Sequence, residues 1–271
     1  MSSSEAQKKQ TSQRDDSSDR ADYCRRMRIF SGPLSMFGAK VEIAAREKGI
    51  VFELIMVPFD MKRRYEPKHP EVLRINPKRQ VPVVIDDAVE IFDSTQIFEY
   101  LEHSRPEPAL WPLDPAARAH ARLLEHKSDE VYFPHIIRLM ELWATPEHPT
   151  AVSTRERASH YYREIEQVLA EREYLAGSYS YADIAFYMAQ LFGARMGAEI
   201  TSETPGLLQW RERITARPAV KAVVGPMVDY ILSQHLTLPR FLSHLATANP
   251  ATSARSDVGS RAGRQVDVRS S

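Results

Sequence analysis

The stretch from Asn76 to Ser94, NPKRQVPVVIDDAVEIFDS, constrains the fold more than any other part of the chain. Val83, Val84 and Ile85 form a short apolar run, Asp86-Asp87-Ala88 supplies turn chemistry, and Val89, Ile91 and Phe92 form a second run. This pattern predicts a β-hairpin. Pro82 stands at the mouth of the first strand, where it has no N–H to give to a ladder. It is therefore either an edge residue or a cis proline in a tight turn. Helical spacing (Ile97, Tyr100, Leu101) begins immediately after Asp93-Ser94. A carboxylate and a hydroxyl at such a junction satisfy the free N–H groups of the helix start, and those N–H groups can also hold a charged ligand.

The chain around this hairpin falls into two regions of different periodicity. Met27 opens a short strand, MRIF, and a loop, SGPLS, leads from it into a helix with Phe37, Val41, Ala44 and Ala45 as its apolar stripe and Gly49 as its stop. Residues 50–57, IVFELIMV, predict a second strand, apolar enough to be buried on both faces. A βαβ unit of this size implies parallel strands and a right-handed crossover. A basic connection, a short helix (EVLRI), the hairpin and the helix from Ser94 follow. The order β-α-β-α-β-β-α is then broken by SRPEPALWPLDP, whose four prolines read as an inter-domain linker.

Everything beyond the linker is helical in pattern, so the fold class is α+β. A long helix from Ala116 to about Ala144 should bend at Pro134. Others are expected over 153–171, 180–197, 205–216 and 219–235, with 180–197 the most apolar and hence the core of this half. Ser180 and Asp183 have the spacing of a capping box and read as folding determinants. The expected division is a disordered tail at 1–25, a first domain at 26–104, the linker at 105–115, a helical domain at 116–245 and a second disordered tail at 246–271. The tails hold too little apolar surface to offset chain entropy.

Composition excludes several functions. Formal net charge is +0, so no global field draws in nucleic acid or an anionic membrane. A single cysteine, Cys24, leaves no internal disulfide framework and no thiolate-rich metal site. The nine histidines lack paired metal-ligand spacing, so no metal is expected. There is no apolar run of about 18 residues and no signal-peptide core, which makes the cytoplasm the expected location.

Four segments together give the chain a resemblance to a known family: SGPLSMFGAKVEIAAREKGI, INPKRQVPVV, IFDSTQIFEYLE and SYADIAFYMA. In this order, on either side of a proline-rich linker, they resemble the glutathione S-transferase superfamily across residues 27–243, in its serine-type, bacterial-like or theta/zeta-like form. The resemblance implies a thioredoxin-like domain followed by an all-helical domain, and a homodimer that binds glutathione and a small hydrophobic electrophile. It implies a cis Val81-Pro82 bond, with the Val81 backbone pairing with the cysteinyl main chain of glutathione. Ser94 would take the γ-glutamyl carboxylate and Asp93 the ammonium. Gln80 lies near the glycyl end, for which Lys62, His69 and Lys78 are candidates, and Arg79 stands where many relatives have glycine.

Ser35, six residues before Val41, falls at the catalytic position of the serine-type classes, with Ser31 as the nearby alternative. Its hydroxyl would donate to the glutathione sulfur and favour thiolate, as would the helix N-terminus behind it. Leu34, Met36 and Phe37 beside the sulfur, with Tyr132, Phe133 and His135 from the helical half, would form an apolar second-substrate pocket. The implied activity is glutathione transfer to electrophiles, as in detoxification. The alternatives are a glutathione-dependent lyase, dehalogenase or isomerase, or a binding and assembly module without turnover.

Overall fold

The computed structural model describes residues 27–60 and 62–246. The two expected tails, apart from Ala246, and Cys24 lie outside these residues. The first half holds β1 (Met27–Ser31), α1 (Met36–Glu47), β2 (Phe52–Met56), α2 (Pro70–Ile75), β3 (Val83–Asp86), β4 (Val89–Phe92) and α3 (Ser94–Ser104). The sheet order is β2-β1-β3-β4, with β1 parallel to β2 and antiparallel to β3. Strand alternation decides the layers. Met27, Ile29 and Val84 point to one face and pack with Val41 and Ala45 of α1 and Ile97 and Leu101 of α3. Phe30, Val83 and Ile85 point to the other and pack with Val72 of α2.

One expectation fails in this half. β2 is not buried on both faces: it is the sheet edge, Phe52 to Ile55 are half-buried, and Val51 and Met56 are exposed. An edge strand lacks one neighbour, and its composition alone does not reveal that.

The second half holds α4 (Pro115–Lys127), α5 (Phe133–Glu141), α6 (Pro149–Leu169), α7 (Tyr181–Arg195), α8 (Pro205–Ala216) and α9 (Pro218–Ser233). The long helix expected over 116–144 is broken into α4 and α5 by a π-helical turn at Ser128–Tyr132. Pro134 has no N–H to give to the carbonyl four residues back, and its ring crowds that carbonyl. The chain widens instead, and the Phe133 N–H reaches the Ser128 carbonyl five residues back.

The two halves share one interior. Every residue of α7 from Tyr181 to Ala194 is buried. Met36, Ala39 and Ile43 of α1 and Phe98 of α3 join the same apolar cluster, and α1 packs on both α7 and α9. The Phe98 ring stacks on Tyr181 at 3.8 Å, and Trp111 meets Phe98 edge-on at 5.1 Å. The proline-rich segment is not a slack tether. Lys48 Nζ donates to the Arg105 and Pro108 carbonyls and pairs with Glu102, whose carboxylate accepts from the Leu110 and Trp111 N–H groups.

Asp183 anchors the start of α7. Its carboxylate accepts from the Ser180 N–H and hydroxyl, from the Leu175 N–H and from Trp210 Nε1, all within 3.0 Å. Burial pushes this carboxyl up, and those four donors oppose the shift. Asp183→Asn would set a side-chain NH₂ against buried donors. It is expected to cost roughly 3 kcal/mol of stability in urea unfolding, and a loss below about 1 kcal/mol would contradict this role.

Candidate active site

A cavity of about 330 Å³ opens between the hairpin and the helical half. Its first wall is the turn before β3. Buried Asn76 staples this turn: its Nδ2 donates to the Gln80 carbonyl at 2.6 Å, and its Oδ1 accepts from the Lys78 N–H at 2.9 Å. Arg79 sits in the left-handed region at φ +56, a backbone state in which glycine is at ease. The turn delivers Lys78, Gln80, Val81 and Pro82 to the cavity, and the Val81–Pro82 peptide is cis. Asn76 was not singled out from sequence, although an asparagine that bonds its own turn is a recognisable signal.

The second wall is the start of α3. Asp93, at φ +75, caps the helix: its Oδ1 accepts from the Thr95 and Gln96 N–H groups. Ser94 is the first helical residue, is buried and lines the cavity. The positive end of the helix dipole therefore points into the cavity at Ser94.

Ser35 is the N-cap of α1 and only 8% exposed, and it does not stand on the cavity wall. Its Oγ accepts from the Gly38 N–H at 3.0 Å, which leaves the hydroxyl proton uncommitted. A Cβ on Gly38 would lie 2.2 Å from Ser31 Oγ and 3.0 Å from Ser35 Oγ, so only glycine fits there. Ser31 itself is fully buried.

The structure redistributes the remaining candidates. Lys62 and His69 do not reach the cavity. The Lys62 N–H is held by Asp60, while the His69 ring caps α2 through the Glu71 N–H and packs on Phe30 at 4.9 Å. Phe37 stands on the wall, edge-on to Phe133 at 5.5 Å, while Met36 is buried in the core and Leu34 packs against it. Tyr132 does not face the cleft: it is fully buried and shares a 2.6 Å hydrogen bond with Tyr162. His135 is half-buried away from the wall, and burial, with Arg157 nearby, lowers its pKa. The helical half instead presents Glu125, His126, Asp129 and Glu130. This wall is acidic rather than apolar, because the π-turn aims residues 129 and 130 at the cavity and Tyr132 inward.

Behind that wall lies a buried ion cluster that sequence reasoning missed. Lys40 of α1 is fully buried, and its Nζ pairs with Glu125 Oε1 at 3.1 Å and Asp129 Oδ2 at 2.5 Å. The Thr95 hydroxyl donates to the same Glu125 oxygen at 2.7 Å. Burial would discharge Lys40, but Tyr181, Asp129 and Glu125 outweigh it and hold its pKa above the ordinary lysine value. Burial pushes the Asp129 carboxyl up to about 6 against the pull of Lys40, and Glu125 adds repulsion. The only sequence signal is the i, i+4 spacing of Glu125 and Asp129, which says nothing of a partner 85 residues away.

Residues 34–104 match the family model of the glutathione S-transferase N-terminal domain, and residues 117–218 that of its C-terminal domain. Protein LigF from Sphingobium sp. is 30% identical over 218 residues, covering 65% of this chain and 84% of LigF. The chain belongs to the glutathione S-transferase superfamily. The crystal structure of LigF, a β-etherase, superposes with a TM-score of 0.62 at 28% identity, over 73% of this chain and 98% of that one. Glutathione S-transferase 2 of Saccharomyces cerevisiae is 29% identical over 212 residues, covering 73% of this chain and 90% of the yeast protein. A stringent starvation protein A homologue of Coxiella burnetii is 29% identical over 150 residues, 55% of this chain and 66% of that protein. The superfamily uses glutathione and is typically dimeric, and it includes members without catalytic activity. No helix among the described residues is long and apolar enough to cross a membrane.

The ion cluster generates a prediction. Lys40→Met would leave two carboxylates without their cation, their side chains only 5% and 10% exposed. The expected loss is roughly 3–5 kcal/mol in chemical denaturation. Adding Glu125→Gln and Asp129→Asn should recover most of it. A single-variant loss under about 1 kcal/mol would show that the pair carries little.

Proposed function

We propose that the protein is a cytoplasmic, homodimeric glutathione transferase that activates the glutathione thiol for attack on small hydrophobic electrophiles. The carrying observation is the convergence of Val81–Pro82, Asp93 and Ser94 on one cavity. In this reading the tripeptide lies along the hairpin as an added strand, its cysteinyl main chain paired with the Val81 backbone. The γ-glutamyl carboxylate sits at Ser94 and the N-terminus of α3, where free N–H groups and the helix dipole favour an anion. In this reading Asp93 takes the ammonium, and the glycyl carboxylate extends towards Gln80 and Lys78. The sulfur then lies towards the start of α1. Ser35 is a hydrogen-bond donor here, not a nucleophile: its oxygen takes the Gly38 N–H and its proton remains for the sulfur. A free thiol with pKa about 8.5 is mostly protonated at neutral pH, so such a donor raises the reactive fraction. The thiolate attacks an electrophilic carbon and either displaces a leaving group, which departs with the bonding pair, or adds to an activated double bond, whose other end then takes a proton from solvent.

Two observations favour other readings. LigF is a β-etherase, and cleavage of an aryl ether by the same thiolate is a lyase-like variant of this chemistry. The low exposure of Ser35 and its capping role suit a module that binds glutathione without turnover. Ser35→Ala separates turnover from capping. Removing one donor to a developing thiolate should cost about 3 kcal/mol, on the order of a hundredfold in kcat/KM with an aryl halide. Wild-type turnover that survives the substitution unchanged would reduce Ser35 to a cap, and a wild-type protein inert towards halides, enones and aryl ethers alike would sink the enzyme reading.

A further inference from the structure

A second cavity, of about 320 Å³, lies wholly within the helical half and shares no residue with the first. α8 supplies Arg211, Glu212 and Thr215, the first turn of α9 supplies Lys221, and a 3₁₀ turn at Arg240–Leu245 supplies Phe241 and His244. The turn is fixed by Leu242, which is fully buried in the core of the helical half. Three of these side chains are basic and one is acidic, so the wall carries an excess of positive charge.

Arg211 is half-buried, and its guanidinium stacks on the Phe241 ring at 4.2 Å. Stacking fixes the plane of the fork, yet none of its N–H groups donates a hydrogen bond among the described residues, and Nε is shut away from solvent without an acceptor. Burial lowers its pKa, and Tyr162, Tyr187, Glu199 and Glu212 act on it only through space. Lys221 and His244 likewise hold no ion pair or hydrogen bond among the described residues. Elsewhere in the helical half the pattern is different: Arg213 donates to the Glu173 carbonyl and Arg217 pairs with Glu47. The Thr215 hydroxyl is no partner for Arg211, being committed to the Arg211 carbonyl and the Tyr187 hydroxyl. A desolvated guanidinium without acceptors is costly, and an anion entering the cavity would remove that cost.

We propose that this cavity binds the phosphate group of a small phosphate monoester, with Arg211 as its planar fork and Lys221 as its point charge. A fixed arginine fork matches two phosphate oxygens at once, and a lysine beside it suits a dianion better than a single carboxylate. The volume is at the low end of small-molecule sites, about 300 Å³ upwards, which leaves room for a short organic body beyond the phosphate. The site stands independently of the glutathione reading.

The test is calorimetric titration of the full-length protein at low ionic strength with inorganic phosphate, glycerol 3-phosphate and acetate. Wild type should bind both phosphates saturably and acetate at least about tenfold more weakly. Arg211→Gln should weaken phosphate roughly ten- to hundredfold, the range of a charge-assisted hydrogen bond. Lys221→Gln should weaken it roughly threefold or more, the effect of one exposed charge. Arg213→Gln removes the same charge outside the cavity and should leave the affinity within about twofold. Any of four results overturns the proposal: no saturable phosphate binding, acetate as tight as phosphate, rejection of glycerol 3-phosphate, or a loss in Arg213→Gln as large as in Arg211→Gln. Full phosphate affinity in Arg211→Gln overturns it as well. Lys221 is exposed, so if Arg211→Gln does not fold, Lys221→Gln against Arg213→Gln decides: equal affinities overturn the site, and a loss confined to Lys221→Gln supports it.

Discussion

The Lys40 ion cluster is the constraint on which the site depends. Lys40 lies on α1, five residues beyond Ser35, and its two carboxylates come from α4 and the π-turn of the helical half. The Glu125 oxygen that takes Lys40 also takes Thr95, the second residue of α3. The helix that begins at Ser35, the helix that begins at Ser94 and the wall that faces them are thus tied to one buried charge. Two carboxylates so shielded from solvent are costly without a cation, so removing Lys40 from between them would be strongly destabilising. Apolar contact, with Phe98 and Tyr181 stacked between the halves, holds the same surfaces together without direction. The charges supply direction, because an ion pair works only in one register.

Around this anchor the hairpin provides rigid presentation. Asn76 locks the turn that carries Lys78, Gln80 and Val81, and Asp93 locks the start of α3 through two backbone N–H groups. Both locks use short polar side chains that bond their own backbone, and both occur beside a residue at positive φ, Arg79 and Asp93 itself. Backbone strain of this kind persists only where surrounding bonds over-determine it, and it clusters at ligand sites. In the proposed reading the hairpin orients a peptide ligand and α1 bears the hydroxyl that donates to its sulfur.

What was legible in the sequence was local. Strand alternation in 83–92, the proline at 82, the stop at Gly49 and the change to helical periodicity after the prolines each depend on neighbours within a few residues. From these the α+β order followed, and the segments that resemble the superfamily lay in the same places. What was not legible depends on distant packing. The exposure of β2 follows from its place at the sheet edge. The split of α4 from α5 was visible as a bend at Pro134, but not as a π-turn, and that difference moved the cavity wall from Tyr132 and His135 to Glu125 and Asp129. The role of Lys40 could not be read, since a lysine within an apolar stripe looks like a snorkelling surface residue until its partners are in place.

The central claim is that this cavity binds glutathione and that the start of α1 makes its sulfur a thiolate. The most direct measurement is the pH titration of thiolate ultraviolet absorbance for glutathione bound to the wild-type protein. The account predicts saturable binding and a bound thiol titrating at or below about 7.5, against about 8.5 for a free thiol. Saturable binding with the thiol still titrating at its free value, or no saturable binding, would contradict it.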